Sequence, residues 1–226
     1  MSFPITEIFS SIQGEGLYVG QRHLFVRFKG CNLSCSYCDE TAKEGSVLTE
    51  REIINALYDL EEKKGPHTFV SLTGGEPLIY ADNLIGLCSF LKKDYKIYLE
   101  TNGVLFQALS SVIALVDVIS MDIKLKSIGG DENQFAKNKA FLSCSFEHDK
   151  TIFVKIVVSK STDKKEFIEA VRTIAEVSKA IPLVVQPLTN QEGISNEVLF
   201  ELHDIALKYL NDVRIIPRLH KILNIC

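Results

Sequence analysis

Cys31-Asn32-Leu33-Ser34-Cys35-Ser36-Tyr37-Cys38 sets three thiols in a Cys-x3-Cys-x2-Cys run. Three thiolates are one too few for a closed four-ligand metal site. A [4Fe–4S] cluster held by three cysteines keeps one iron open to a further ligand, whereas structural iron–sulfur and zinc centres use four protein ligands. The alternatives are a Cys3His zinc site and three ordinary buried thiols. Zinc is disfavoured: His23 lies upstream on the approach to a strand-like run, and no further histidine comes before His67.

Working outward from the cysteines, short runs rich in β-branched and aromatic residues alternate with helical patterns. Strands are predicted at Leu24–Phe28, Thr68–Thr73, Lys96–Thr101, Val118–Ile123, Thr151–Val158, Leu183–Gln186 and Val213–Ile216. Helices are predicted at Glu50–Lys64, with Thr49 and Glu52 placed as a capping box, at Lys164–Ala180 and at Asn196–Tyr209. This is the βα alternation of a parallel sheet. About 200 residues leave little room for eight βα units of ~30 residues each, so the expected fold is α/β, a partial (β/α)6 TIM-like barrel within one domain spanning 1–226. Lys124–Asp149 is the longest irregular stretch and reads as a lid or a poorly ordered insertion. Cys88 falls in an apolar helical segment and reads as core.

Polar residues gather where the strands end, the rim at which (β/α) barrels place their sites. Thr73-Gly74-Gly75-Glu76-Pro77 offers glycines that admit a close backbone approach to a ligand and a carboxylate able to accept from an ammonium. Glu100 and Asn102 are candidates for ligand binding, with capping of the next helix as the alternative. Asp122 and Lys124 point to one side of an extended strand, Met121 and Ile123 to the other. Gln186-Pro187-Leu188 ends the sixth strand.

The cysteine spacing and the Gly-Gly-Glu-Pro element resemble those of radical S-adenosylmethionine (SAM) enzymes, in which the methionine end of SAM chelates the open iron. The likeness then narrows. Ile8-Phe9-Ser10-Ser11-Ile12-Gln13-Gly14-Glu15-Gly16, Phe25–Leu33, Cys38-Asp39, Thr73–Pro77, Glu100–Gly103, Asp122–Lys124, Gln186-Pro187 and the tail His220-Lys221-Ile222-Leu223-Asn224-Ile225-Cys226 resemble the 7-carboxy-7-deazaguanine synthases over nearly the whole chain. The resemblance implies a lyase that ring-contracts 6-carboxy-5,6,7,8-tetrahydropterin to 7-carboxy-7-deazaguanine with loss of ammonia, on the route to queuosine and other deazapurines. It implies a [4Fe–4S] cluster on Cys31, Cys35 and Cys38, SAM as a regenerated cofactor, and Mg2+.

By matching positions, Ile12, Gln13, Gly14, Arg27, Thr73, His220 and the terminal carboxylate of Cys226 are expected at the substrate. Arg27 suits a carboxylate because its planar fork binds both oxygens. For His220 a structural role is an equal alternative. SAM is expected to meet Tyr37, Gly74, Gly75, Glu76, Glu100, Asn102, Asp122, Ile123, Lys124, Gln186, Pro187, Leu188 and Thr189, although Tyr37 also reads as a residue covering the cluster. One departure concerns Mg2+. Many relatives carry a hydroxyl two residues beyond the last cysteine, whereas this chain reads Cys38-Asp39-Glu40-Thr41. Either Glu40 supplies a hard carboxylate oxygen, or the register shifts by one and Thr41 is the ligand, or Glu40 faces solvent and metal dependence is altered.

Composition bounds the partners. With 25 Lys and Arg against 29 Asp and Glu, the net charge is −4, so no nucleic-acid surface is expected. Neither a signal peptide nor a membrane-spanning run is read, and a cytoplasmic protein with a small-molecule substrate is expected. The resemblance adds a homodimer and a low-potential electron donor such as flavodoxin or ferredoxin. Two other functions compete: a glycyl-radical-enzyme activase acting on a protein backbone, which the Ser11–Gly16 lead opposes, and a non-catalytic cluster protein, which the retained SAM motifs oppose.

Overall fold

The computed structural model describes residues 1–38, 44–189 and 194–225. Its strands are β1 (Ser2–Ile12), β2 (Arg22–Phe28), β3 (Ser46–Thr49), β4 (Phe69–Gly74), β5 (Lys96–Thr101), β6 (Val118–Ile123), β7 (Thr151–Val158), β8 (Leu183–Pro187) and β9 (Val213–Ile215). The helices are α1 (Glu50–Lys64), α2 (Ala81–Leu91), α3 (Phe106–Val112), α4 (Phe135–Glu147), α5 (Lys164–Ala175), α6 (Asn196–Leu207) and α7 (Leu219–Ile222). One sheet runs in the order β3-β1-β2-β4-β5-β6-β7-β8-β9. Every neighbouring pair from β2 to β9 is parallel, while β1 is antiparallel to both β2 and β3. Helices α1 to α6 fill the six crossovers between the seven parallel strands, and the sheet stays open: the expected partial (β/α)6 barrel.

Period-two alternation sorts the side chains of each strand into two environments. One set, including Leu24, Val26, Val70, Leu72, Ile97, Leu99, Ile119, Met121, Val154, Ile156, Leu183 and Val185, packs with buried helix residues such as Ile53, Leu57, Leu84 and Phe167 in the main core. The other set faces the concave side in layers. At the bottom, Phe69, Tyr98, Val118, Phe153 and Val184 form a second apolar cluster, closed by Leu17 and Tyr18 from the turn after β1. Two residues further along each strand the layer turns polar: Ser71, Glu100, Ser120, Lys155 and Gln186. A further step brings Thr73, Asn102 and Asp122 to the rim.

The capping box on α1 is present, with the Glu52 N–H donating to Thr49 Oγ1 at 3.3 Å and the Thr49 N–H to Glu52 Oε2 at 2.7 Å. A cap of this kind stabilises a helix start by about 1 kcal/mol. The other end of α1 is fastened to β1 through His67, whose Nδ1 meets Glu61 at 2.6 Å and whose Nε2 meets Ser10 at 2.7 Å.

β1 has no counterpart among the predicted elements, and one expectation needs correction. Strand β1 was hidden because Ser10 and Ser11 dilute its apolar pattern, yet pairing with β2 on one side and β3 on the other satisfies its backbone. Lys124–Asp149 is neither lid nor loose insertion, because it contains α4, whose Phe141 and Leu142 are fully buried. Cys88 is buried in α2, as core. No helix among the described residues is long and apolar enough to cross a membrane.

Candidate active site

The carboxyl ends of the parallel strands open into a cleft of about 190 Å3. Its wall carries the cysteine loop together with Arg27, Thr73, Gly74, Gly75, Glu100, Asn102, Asp122, Lys124, Gln186 and Leu188. Thus most residues read from strand ends meet around one space. Tyr37 completes that wall, with Lys124 Nζ 5.5 Å from its ring centroid.

The cysteine loop is held from two sides. Gly75 N donates to Phe28 O at 2.9 Å and Glu76 N to Gly30 O at 2.8 Å, which pins the Gly-Gly-Glu-Pro turn to the backbone just before Cys31. A β-carbon on Gly75 would stand 1.8 Å from the Gly30 carbonyl oxygen, so glycine here serves approach to the cysteine loop as well as to any ligand. From the other side, the segment following β6 braces the loop: Ser36 N donates to Gly129 O at 2.7 Å and Ser34 N to Asp131 Oδ2 at 2.7 Å. The segment read as a lid is therefore scaffold for the cluster loop.

Glu76 departs from its expected place. It is fully buried and does not line the cleft; its carboxylate accepts from Thr101 Oγ1 at 2.9 Å, Asn102 N at 2.8 Å and Leu78 N at 3.1 Å. Burial pushes its pKa up to about 7 against those three donors. Its visible work is to fix the end of β5 so that the Asn102 amide reaches Asn32 Oδ1 at 2.8 Å and approaches Cys31 Sγ at 3.8 Å. The Ile123 side chain lies in the main core, leaving only its backbone near the rim. Pro187 is off the wall, and Thr189 Oγ1 accepts from Arg218 Nε at 2.9 Å.

Gln13 is likewise committed internally. Its Nε2 donates to Glu100 Oε1 at 2.8 Å, while its Oε1 accepts from Glu15 N at 3.1 Å. Thr73 Oγ1 donates to the other Glu100 oxygen at 2.6 Å. Gly14 and His220 meet in a contact between lead and tail just beyond the cleft wall, where Leu219 N donates to Gly14 O at 2.8 Å, while Ile12 pairs with Arg22 at the end of β1, also off the wall. Glu40, Thr41 and Cys226 lie outside the described residues.

Residues unclaimed from the sequence also enter the cleft: Glu15, Ser120, Lys155 and Arg218. Lys155 Nζ donates to Glu15 Oε2 and stands 3.3 Å from Asp122 Oδ2, which also receives Lys124 Nζ at 2.7 Å. Burial opposes charge on Glu15, but Lys155, Arg218 and His220 outweigh it and hold the carboxyl at about 2. Burial equally opposes charge on Lys155 and Lys124, yet their carboxylate partners raise both above the usual lysine range. A lysine in the middle of Thr-Ile-Phe-Val-Lys-Ile-Val-Val was the available signal, since an isolated buried ammonium is costly.

Among the described residues no three Cys, His, Asp or Glu side chains converge as a single metal ion would require. All three thiols line the cleft, and a [4Fe–4S] cluster there would take one iron per thiolate. The cleft also fits SAM: Asp122 Oδ1 and Gln186 Oε1 are buried acceptors with no partner, and ribose hydroxyls and the adenine amine are donors.

Open parallel barrel, cysteine triad and acceptor-lined cleft together define a radical SAM enzyme, and residues 25–194 match the Radical SAM superfamily model. The 7-carboxy-7-deazaguanine synthase of Geobacter sulfurreducens is 37% identical, covering 97% of this chain and 96% of its own length. That of Methanocaldococcus jannaschii is 33% identical over 97% of this chain and 98% of its own length. The chain belongs to the 7-carboxy-7-deazaguanine synthase family. The fold is shared with the crystal structure of QueE from Escherichia coli, with a TM-score of 0.66 at 18% identity, covering 97% and 95% of the two chains. It is also shared with native anSMEcpe with bound AdoMet, with a TM-score of 0.59 at 16% identity over 86% of this chain and 64% of that one.

Proposed function

We propose that this chain converts 6-carboxy-5,6,7,8-tetrahydropterin to 7-carboxy-7-deazaguanine with loss of ammonia, feeding queuosine or related 7-deazapurine synthesis. The observation that carries this reading is the docking of the tail on the Gln13–Gly16 lead, directly beside the cleft. These are the two segments on which the sequence resemblance to the synthases rests beyond the cysteine triad and the Gly-Gly-Glu-Pro element.

When bound, the cluster and SAM supply one-electron reduction and the hydrogen-abstracting radical. The protein's own residues bind and orient. Arg27 and Arg218 bring positive charge to the wall and suit the pterin carboxylate. Glu100, whose two oxygens already accept from Gln13 and Thr73, keeps further lone pairs on the cleft wall for the N–H groups of the pterin ring. Asp122 and Gln186 serve SAM. The apolar layer beneath the cleft shuts the barrel floor to water.

The reading further includes Mg2+, held by Glu40 or Thr41, a homodimer, a flavodoxin or ferredoxin as reductant, a cytoplasmic setting, and the whole chain acting as one domain. Anaerobic turnover of the cluster-reconstituted protein with SAM, reductant and the pterin, with and without Mg2+, tests it by product mass. SAM cleavage without 7-carboxy-7-deazaguanine would sink the synthase reading and favour an activase.

A further inference from the structure

We infer that Lys155 is a positioning residue that ties the pterin side of the cleft to the SAM side and so keeps SAM cleavage coupled to product formation. The inference rests on the synthase reading above. Lys155 lies opposite Asp122 in the β6–β7 register, and its side chain is 10% exposed. Its Nζ donates to Glu15 Oε2 and stands 3.3 Å from Asp122 Oδ2.

Those two carboxylates belong to different functional halves. Glu15 sits in the lead, its N–H donating to Gln13 Oε1 at 3.1 Å and its neighbour Gly14 receiving the tail. Asp122 lines the cleft from β6, and its Oδ1 is the buried, partnerless acceptor assigned to SAM above. Asp122 already has Lys124 at 2.7 Å, so its charge is compensated without Lys155. Residues two positions away on the same face, Phe153 and Val157, are apolar and buried. A hydrophobic residue would therefore fill the position at less desolvation cost, and a lone buried charge pair is weak support for a fold. What a lysine adds is a direct ionic link between two segments 140 residues apart in sequence. Without it, the pterin-facing lead can shift relative to SAM, and a shift of about 1 Å is enough to cost on the order of 100-fold in rate.

The test compares the wild-type holoenzyme with Lys155→Met and with the double variant Glu15→Gln/Lys155→Met. The double variant buries no unpaired carboxylate and so keeps the test open if the single variant fails to fold. Three quantities are read: 5′-deoxyadenosine released per 7-carboxy-7-deazaguanine formed, SAM dissociation constant, and hydrogen exchange at the residue-15 amide. The expected result is product formation lowered on the order of 100-fold, the released-nucleoside ratio raised about tenfold or more, faster amide exchange at residue 15, and SAM affinity within about threefold of wild type. A wild-type ratio in whichever variants fold, whether activity falls with SAM affinity or not at all, would make Lys155 a counter-ion only and overturn the inference. Wild-type SAM cleavage with no 7-carboxy-7-deazaguanine would instead defeat the synthase reading, and the inference with it.

Discussion

The imidazole of His220 lies against Gly14 so closely that a β-carbon there would stand 2.0 Å from Nδ1 and 2.7 Å from Cγ. The Leu219 N–H donates to the Gly14 carbonyl at 2.8 Å beside that contact. Two segments from opposite ends of the sequence thus meet at one edge of the cleft, and both bear on Glu15, whose charge is favoured by Arg218 and His220. In this arrangement His220 packs directly on Gly14 at the edge of the cleft.

Gly14→Ala is expected to drive α7 off the lead. Overpacking of this kind costs about 1–3 kcal/mol when it must be absorbed, and a four-residue terminal helix absorbs it by moving. The pterin KM should rise about tenfold, with the SAM dissociation constant within about twofold of wild type. Equal loss for both ligands would place the tail contact in the fold and not in the substrate site.

Gly75→Ala is a different case, because the obstacle is backbone: Gly30 O at 1.8 Å and Cys31 N at 3.2 Å from the added carbon. Neither atom can rotate away. The turn after β4 and the start of the cysteine loop must separate, breaking the Glu76 N to Gly30 O bond. A loss of at least about 2 kcal/mol in stability is expected, together with iron and sulfide well below four per chain after reconstitution. A full cluster complement with unchanged melting temperature would contradict the close approach.

Glu15 gives a pH dependence with a defined sign. Its folded-state pKa of about 2 lies below the ordinary value of 4.5, so its contribution to stability is fully present above pH 4.5 and is lost as pH falls toward 2. A depression of that size corresponds to roughly 3 kcal/mol. Thermal unfolding between pH 2 and 7 should show a steep acid limb that Glu15→Gln flattens. An acid limb identical in the two proteins would mean that Lys155 does not hold the carboxylate.

Much of this architecture was legible because local pattern and tertiary role agree. The strands Lys96–Thr101, Val118–Ile123 and Thr151–Val158 and the helix Glu50–Lys64 fall at the residues read from periodicity and capping. Agreement failed where a segment's partner lies far off in sequence. Strand β1 depends on β2 and β3, and Lys155 looks like an isolated charge until Glu15 arrives from 140 residues away. Glu76 shows the converse: its motif suggested contact with a ligand, but whether a carboxylate faces the cleft or three donors behind it is a matter of side-chain direction that spacing does not encode.

Gln186 separates binding from stability. Its side chain is 2% exposed, and its Oε1 is buried without a partner. An unsatisfied buried acceptor costs about 1–3 kcal/mol, and such a cost is retained where a ligand relieves it. Gln186→Leu keeps the volume and removes the unpaired atom. The ligand-free protein should therefore unfold at the same or a higher temperature, while SAM binding weakens about tenfold because a donor of the nucleoside loses its acceptor. Calorimetric titration with SAM, alongside thermal unfolding of the same samples, measures both. If the variant were less stable and bound SAM as tightly as wild type, the acceptor would be serving the protein interior, and the adenosine end of SAM would have to be placed elsewhere on the rim.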